Sequence, residues 1–350
     1  MRKLFITTLL LGLALLLMPS FASAHPGNTD ANGGHHCWTN CGYWGYDYGE
    51  YHYHYDESVY VDNEKEVRKQ DYNAAVSEGE YLLKLLNNFN MAINSGDIKK
   101  IDGLYDQFTD QLSYVEHLIG YVYGSDNRSK LSQKYVKPSK IAKERTIYEV
   151  SQLRLLSQIN SYINEDYDVS EEFSKLDRLV KKAAQIKKSG GYNALPNSVN
   201  NDLRYQEALT YGNYLNKKAY YFSQLIGQGD IYQINEEYDY FVKQIQITEA
   251  KIGKVSGKEN RDKLGNRFIK SAKILKERTI YEVSQFRLLQ NIENLYYSGE
   301  ETEARNNLSK LDRLKERAVA IKAAGGYKNL PATVTSDLKD KEDLVRYLLG

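Results

Sequence analysis

The sequence predicts an all-α fold: two tandem copies of a long-helix bundle, preceded by a signal peptide and a small loop-rich head. Three observations carry this. Residues 144–156 and 277–289 are the same thirteen-residue stretch with only Leu153 replaced by Phe286. Around them the order of motifs repeats. Gly96-Asp97-Ile98 returns as Gly229-Asp230-Ile231, Asn127-Arg128 as Asn260-Arg261, and Gly190-Gly191-Tyr192 as Gly325-Gly326-Tyr327. Lastly, apolar residues in the body recur in steps of three and four, the period of a helix with one buried face.

Taken in order, the chain opens with Arg2 and Lys3, an apolar run from Leu4 to Met18, and Ala22-Ser23-Ala24. That is the pattern of a secretory signal peptide over residues 1–24, leaving His25 as the first residue after cleavage. No other apolar run is long enough to span a membrane. Between Leu4 and Glu64 there is no Lys or Arg but there are seven acids. From Lys65 onward 45 basic residues face 39 acidic ones, a surplus of six. A mildly basic body outside the cell suits an anionic polymer, and charge this thinly spread ranks nucleic acid last among partners.

The head, residues 25–62, holds five of the six His, both Cys and both Trp. Gly and Asn are frequent and no run has helical spacing, so the segment needs a staple. Cys37 and Cys41 can form a disulfide. Alternatively His35 or His36, Cys37, Cys41, His52 and His54 can close around a metal, most simply Zn²⁺. A third arrangement uses the free amine and imidazole of His25 to hold Cu²⁺.

The body divides into units over 66–198 and 199–350. Each begins with a helix carrying one apolar stripe, in the first copy Leu82, Leu86, Phe89 and Ile93. Asp97 and Asp230 follow a Gly and precede a second helix, as N-caps do. Ile98, Ile101, Tyr105, Phe108, Leu112, Val115, Ile119 and Val122 then keep heptad spacing, matched by Ile231, Ile234, Tyr238, Phe241, Ile245, Thr248, Ile252 and Val255. After Gly124 or Gly257 comes the helix bearing the repeated stretch, expected to start at Lys137-Pro138. A last helix ends at Gly190-Gly191 and Pro196. Residues 333–350 resemble the start of a third unit.

On a helical wheel the repeated stretch is apolar on both sides. Ile141, Tyr148, Leu155, Ile159 and Tyr162 share one face, with Arg145 and Gln152 among them, and Ile147, Val150 and Leu153 lie opposite. This places the helix centrally, with Arg145 and Gln152 buried and answered by Glu144, Glu149 or acids on facing helices. The bland reading is a structural network; the sharper one is a ligand site. Its candidates are Arg145, Tyr148 and Arg154 with Lys175 and Arg178, then Arg278, Tyr281 and Arg287 with Lys310 and Arg313. Tyr rings stack on sugar faces while their hydroxyls hydrogen-bond, and Arg presents a planar fork to carboxylates. Against this, a charge run on a helix is most often a solvated face.

Two resemblances follow from the motifs. The order His25-Pro26-Gly27, Asn32-Gly33, His35-x-Cys37, Cys41 and Tyr51-His52-Tyr53-His54 resembles the YHYH-motif domain of exported bacterial proteins. The body, with Gly-Asp at a helix start, a Val-Tyr-Gly or Val-Ser-Gly turn, Asn-Arg and a long Arg-rich helix, resembles the helical wall-attachment region of SbsC-type S-layer proteins. That resemblance implies a non-enzymatic protein held on a Gram-positive type cell wall through an anionic secondary polysaccharide. The chain lacks the large β-rich array of that family, which implies an accessory wall protein. The rival expectation is an extracellular metal-dependent enzyme, hydrolytic or oxidative, with its site in the head. No His-Glu-x-x-His spacing or phosphate loop supports it.

Overall fold

The computed structural model describes residues 34–38, 41, 46–53 and 57–350. The expected signal peptide and two of the candidate ligands, His25 and His54, lie outside the described residues. The chain divides between Ala74 and Ala75 into two compact units.

In the first unit, strands β1 (Gly34–His36) and β2 (Tyr51–Tyr53) pair antiparallel, with His35 opposite His52 and His36 opposite Tyr51. Cys37 and Cys41 are joined as a disulfide at the end of β1. The Cys37 amide donates to the Glu50 carbonyl, and Gly49 returns a bond to the Cys37 carbonyl. So short a hairpin has few ladder bonds, and the disulfide adds a constraint only on the turn from Cys37 to Cys41 that leaves β1.

The described helices of the body account for the all-α expectation. They are α1 (Glu57–Ser95), α2 (Ile98–Tyr121), α3 (125–164), α4 (Ser170–Gly190), α5 (Asn197–Gln228), α6 (Ile231–Gly253), α7 (258–297), α8 (Glu301–Gly325) and α9 (Ala332–Leu349). All sixteen heptad positions on α2, α6 and the turns that end them are buried. Each fully buried Ile, Leu or Phe contributes about 1.5–3 kcal/mol, so these two seams dominate the packing. Asp97 and Asp230 cap as expected. Asp97 Oδ1 accepts from the Lys99 and Lys100 amides at 3.0 and 3.2 Å, and Asp230 Oδ1 from Tyr232 and Gln233 at 2.8 and 3.2 Å. Gly96 and Gly229, at φ 69° and 75°, make the corner before each cap. A Cβ there would collide with Ser198 and Thr333 at the starts of α5 and α9.

The repeated Asn-Arg motif closes the next corner. Arg128 Nη1 donates to the Val122 carbonyl and Arg261 Nη1 to that of Val255, both at 2.9 Å, so each satisfies a carbonyl just past the preceding helix.

The α-helical segment that carries the first repeated stretch starts at Lys137 with Pro138 in its first turn, as expected. What the spacing did not show is that it continues, without a break, a short helix from Ser125 and a π turn, Ser132–Val136. The second copy has the same π turn at Gly265–Ile269, with Ser271 where Pro138 stands. Proline therefore does not account for the widening. Common to both is an aromatic ring within the turn seated on a bare glycine: Tyr135 on Gly79 and Phe268 on Gly212. Both rings are fully buried.

Core residues form three clusters. One spans Ala75 to Leu203 and another Ala208 to Leu349. A smaller one joins the end of α3 to α4 and α5 through Leu156, Ile159, Ile163, Leu176, Tyr211 and Tyr214. Helix α5 contributes to all three, so it is a shared spine. At the far end α9 buries Val334, Leu338, Val345 and Leu349.

Replacing Gly212 by Ala should lower stability by about 1–3 kcal/mol, because a Cβ would stand 2.4 Å from Phe268 Cδ2. Gly103→Ala, in the interior of α2 with nothing within 4 Å, should raise it by about 0.5–1 kcal/mol. Chemical denaturation of the two variants checks both signs.

Candidate functional site

The site is a pocket built twice. The first lies among α3, α4, α5 and the end of α6 and has a volume of about 720 Å³. The second lies between α7 and α8 with the loop that follows, at about 670 Å³. Three polar lining residues are the same in both copies: Glu149 with Glu282, Gln152 with Gln285, and Lys187 with Lys322. In both copies the acid and the glutamine sit on the repeated stretch, one helical turn apart. The lysine reaches across from the helix that follows.

Lys187 Nζ pairs with Glu149 and also donates to the Arg145 carbonyl at 2.8 Å. Lys322 pairs with Glu282 in the same way. The lysines satisfy one carboxylate oxygen only: Glu149 Oε2 and Glu282 Oε2 are buried without a hydrogen-bond partner. Around the first pocket Lys181, Lys187, Arg204, Lys251 and Lys254 face Glu149, Asp177 and Glu207, a surplus of two positive charges. In the second, Lys315 and Lys322 face Glu282.

Lys251 joins the two copies. It donates to Glu207 Oε1 at 2.6 Å and Asp177 Oδ1 at 3.3 Å, and lies 4.6 Å over the Tyr211 ring. Burial works against its charge, but the Glu207 hydrogen bond prevails and holds the ammonium protonated above its usual range. Burial pushes the Tyr211 phenol up to about 12. Burial also raises Tyr214, as does its 2.6 Å hydrogen bond to Tyr240.

The residues singled out from the sequence are distributed unevenly. Tyr148 lines the first pocket. Arg145 is half-buried and donates to the Asn193 carbonyl at 3.2 Å, and Arg278 to those of Lys328 and Asn329 at 3.2 and 3.4 Å. Each ties the repeated stretch to the loop after the next helix, so the expected pairing of Arg145 with acids is corrected: the acid goes to Lys187. The wheel was also turned. The buried stripe of α3 runs through Ala142, Thr146, Val150, Leu153, Leu156 and Ile159, leaving Ile141 46% exposed.

Arg154 and Arg287 bind their own chain. Arg154 bonds Asp102 and Asp106 at 2.5 and 2.9 Å over the Tyr105 ring. Arg287 bonds Asn235 and Asp239 at 2.6 and 3.0 Å over Tyr238. Lys175 is paired with Glu171 and Glu172, and Lys310 donates to Asn307. Arg178 and Arg313 are exposed, and Tyr281 is half-buried outside the second pocket's lining. The Glu–Lys pairs were not singled out, although Glu149 and Glu282 stand inside the repeated stretch. Only the tertiary fold shows which lysine meets them.

In the head, the disulfide removes Cys37 and Cys41 as thiolate ligands. His35 and His52 face each other across the hairpin with ring centroids 4.8 Å apart, and His52 is stacked on Tyr46. His36 is bonded through Nδ1 to the Gly49 carbonyl. Among the described residues no three His, Cys, Asp or Glu side chains gather as metal ligands.

The family model described as the SbsC C-terminal domain matches residues 51–140 and 161–273. The chain belongs to the SbsC C-terminal domain family. The two matched segments end at Lys140 and Lys273, equivalent positions of the repeat. This supports the S-layer-like helical region expected from the motifs. The repeated stretches 144–156 and 277–289 lie outside both segments, and with them Glu149, Gln152, Glu282 and Gln285. No curated protein and no solved structure matches the chain. No described helix of this SbsC-type body is long and apolar enough to cross a membrane.

Lys251→Met should cost about 3 kcal/mol, since it leaves Glu207 buried without its cation, and adding Glu207→Leu should recover most of it. Thermal unfolding of the single and double variants tests this. A raised phenol or lysine pKa means that the folded state holds the proton more tightly. Stability carried by Tyr105, Tyr211 and Tyr238, all pushed up to about 12 by burial, is therefore complete below 10.0 and lost as pH rises towards 12. Lys251 acts in the same direction. Melting temperature should fall steadily above pH 10.0, with tyrosinate absorbance rising only as the chain unfolds.

Proposed function

We propose that the protein is an exported, cell-wall-associated binding protein of Gram-positive type surfaces. Its helical body docks on anionic secondary cell-wall polysaccharide and displays the small disulfide-stapled head. The observation that carries this reading is the duplicated pocket with a positive surplus in each copy. A linear polymer repeats its own chemistry, so two like sites within one compact unit engage it together, and the second contact is favoured by its high effective concentration. Membership of the SbsC C-terminal domain family supports a surface role. The acidic head leaves the basic body as the part suited to an anionic wall. The enzymatic alternative loses its two candidate thiolate ligands to the Cys37–Cys41 disulfide.

Co-sedimentation with purified Gram-positive sacculi tests the proposal. The protein should pellet with intact walls and stay in solution with walls stripped of secondary polymer by acid. Equal recovery from the two preparations would remove the polymer from the account. Retention should also weaken as salt is raised, because counterions screen the contacts.

A further inference from the structure

Resting on that reading, we propose that the two pockets are subsites for sugar residues of an acidic polysaccharide. Glu149 and Glu282 recognise the sugar by accepting a hydroxyl proton, and the first pocket alone also holds the acidic group. One carboxylate oxygen at each pocket wall, Glu149 Oε2 and Glu282 Oε2, has no partner. A buried carboxylate oxygen without a donor is costly, on the order of 1–3 kcal/mol. Among the described side chains this condition is found at Glu149 and Glu282 alone, the same position of each copy. The unpartnered acceptor is therefore a property of the repeated unit rather than of one copy.

These oxygens are closed to solvent in the structure, but the side chains retain 13% and 16% exposure at the pocket wall. The terminal carboxylate torsion is broad, so a small rotation brings an acceptor to the surface. One turn away, Gln152 or Gln285 offers an amide that both donates and accepts. An ionised acceptor beside a two-way amide suits neighbouring hydroxyls. A bare anion has no proton for the carboxylate and would be repelled by it.

The copies differ in their free cations. Lys181, Arg204 and Lys254 line the first pocket, are exposed, and have no ion-pair partner among the described residues. In the second pocket Lys315 is paired with Glu342 and Lys322 with Glu282. Both pockets therefore take hydroxyls, while the acidic substituent is held in the first.

The decisive comparison sets hydroxyl recognition against simple attraction. Glu149→Gln removes a negative charge, so a purely electrostatic site would bind any anion more tightly. A site that needs the acceptor would bind sugar more weakly, because the amide nitrogen now donates where the oxygen accepted. Calorimetric titration of the whole mature chain would use oligogalacturonate, with neutral maltohexaose and inorganic pyrophosphate as comparisons. Oligogalacturonate should bind best. Glu149→Gln should weaken it about tenfold and Glu282→Gln less, and Arg204→Gln with Lys254→Gln should also weaken it about tenfold. Gln152→Leu, which leaves the Glu149–Lys187 pair in place, should act like Glu149→Gln and guards against a folding defect. The inference is overturned if oligogalacturonate does not bind, if pyrophosphate binds as well, or if Glu149→Gln and Gln152→Leu bind as tightly as the parent. Sedimenting the same variants with sacculi separates the two claims. Parent protein that pellets with walls but ignores oligogalacturonate leaves the wall reading standing without the subsites. Parent protein that titrates with oligogalacturonate but not with walls does the reverse.

Discussion

An aromatic ring pressed onto a bare stretch of helix is the contact on which the rest of each copy depends. Tyr135 on Gly79 and Phe268 on Gly212 bring two helix axes closer than any side chain at the glycine would permit. The ring reaches its seat from a π turn, which inserts one residue into an otherwise continuous helix. One extra residue turns everything after it by about 100°. That rotation decides which face of the repeated stretch meets α2 and which meets α4. Arg154 is thereby directed to Asp102 and Asp106, while Glu149 and Gln152 open onto the pocket. The same relation holds for Arg287, Glu282 and Gln285. Brace and pocket follow from one local widening.

The charged residues separate into two populations with different physics. Arg154, Arg287, Arg145 and Arg278 are tied to the chain's own acids, amides or main-chain carbonyls, and their work is to hold helices and loops in place. A guanidinium engaged through several donors has little left for a ligand. Lys181, Arg204 and Lys254 are exposed around a concave surface, where a positive field meets solvent. Richness in arginine along the repeated helix thus marks structure here, and the unpaired cations on neighbouring elements line the pocket.

Duplication did not yield two separate bodies. Helix α5 gives Val199 and Leu203 to one cluster, Tyr211 and Tyr214 to the next, and Leu215 onward to the last. Lys251, from the second copy, completes the wall of the first copy's pocket by binding Glu207 and Asp177. The two sites are alike in their conserved-by-repetition core of Glu, Gln and Lys. They differ in what the junction adds.

The sequence by itself determined the helices, their caps and their seams. Those depend on local periodicity and on side chains bonding to amides two or three residues away, so Ile98 to Val122 and Asp97 could be placed without coordinates. The repeat was equally plain, since identity needs no geometry. What the tertiary structure decided was phase and partnership. The π turns were not legible in the apolar spacing, because one inserted residue between short runs looks like the ordinary scatter of three- and four-residue steps. The repeated stretch is apolar on two sides, and periodicity alone does not say which side packs inward, so the wheel put Ile141 inward and sent Arg145 to an acid. Glu149 with Lys187 and Glu207 with Lys251 join residues about forty positions apart. No spacing rule links such pairs, because the distance between them is set by how whole helices pack.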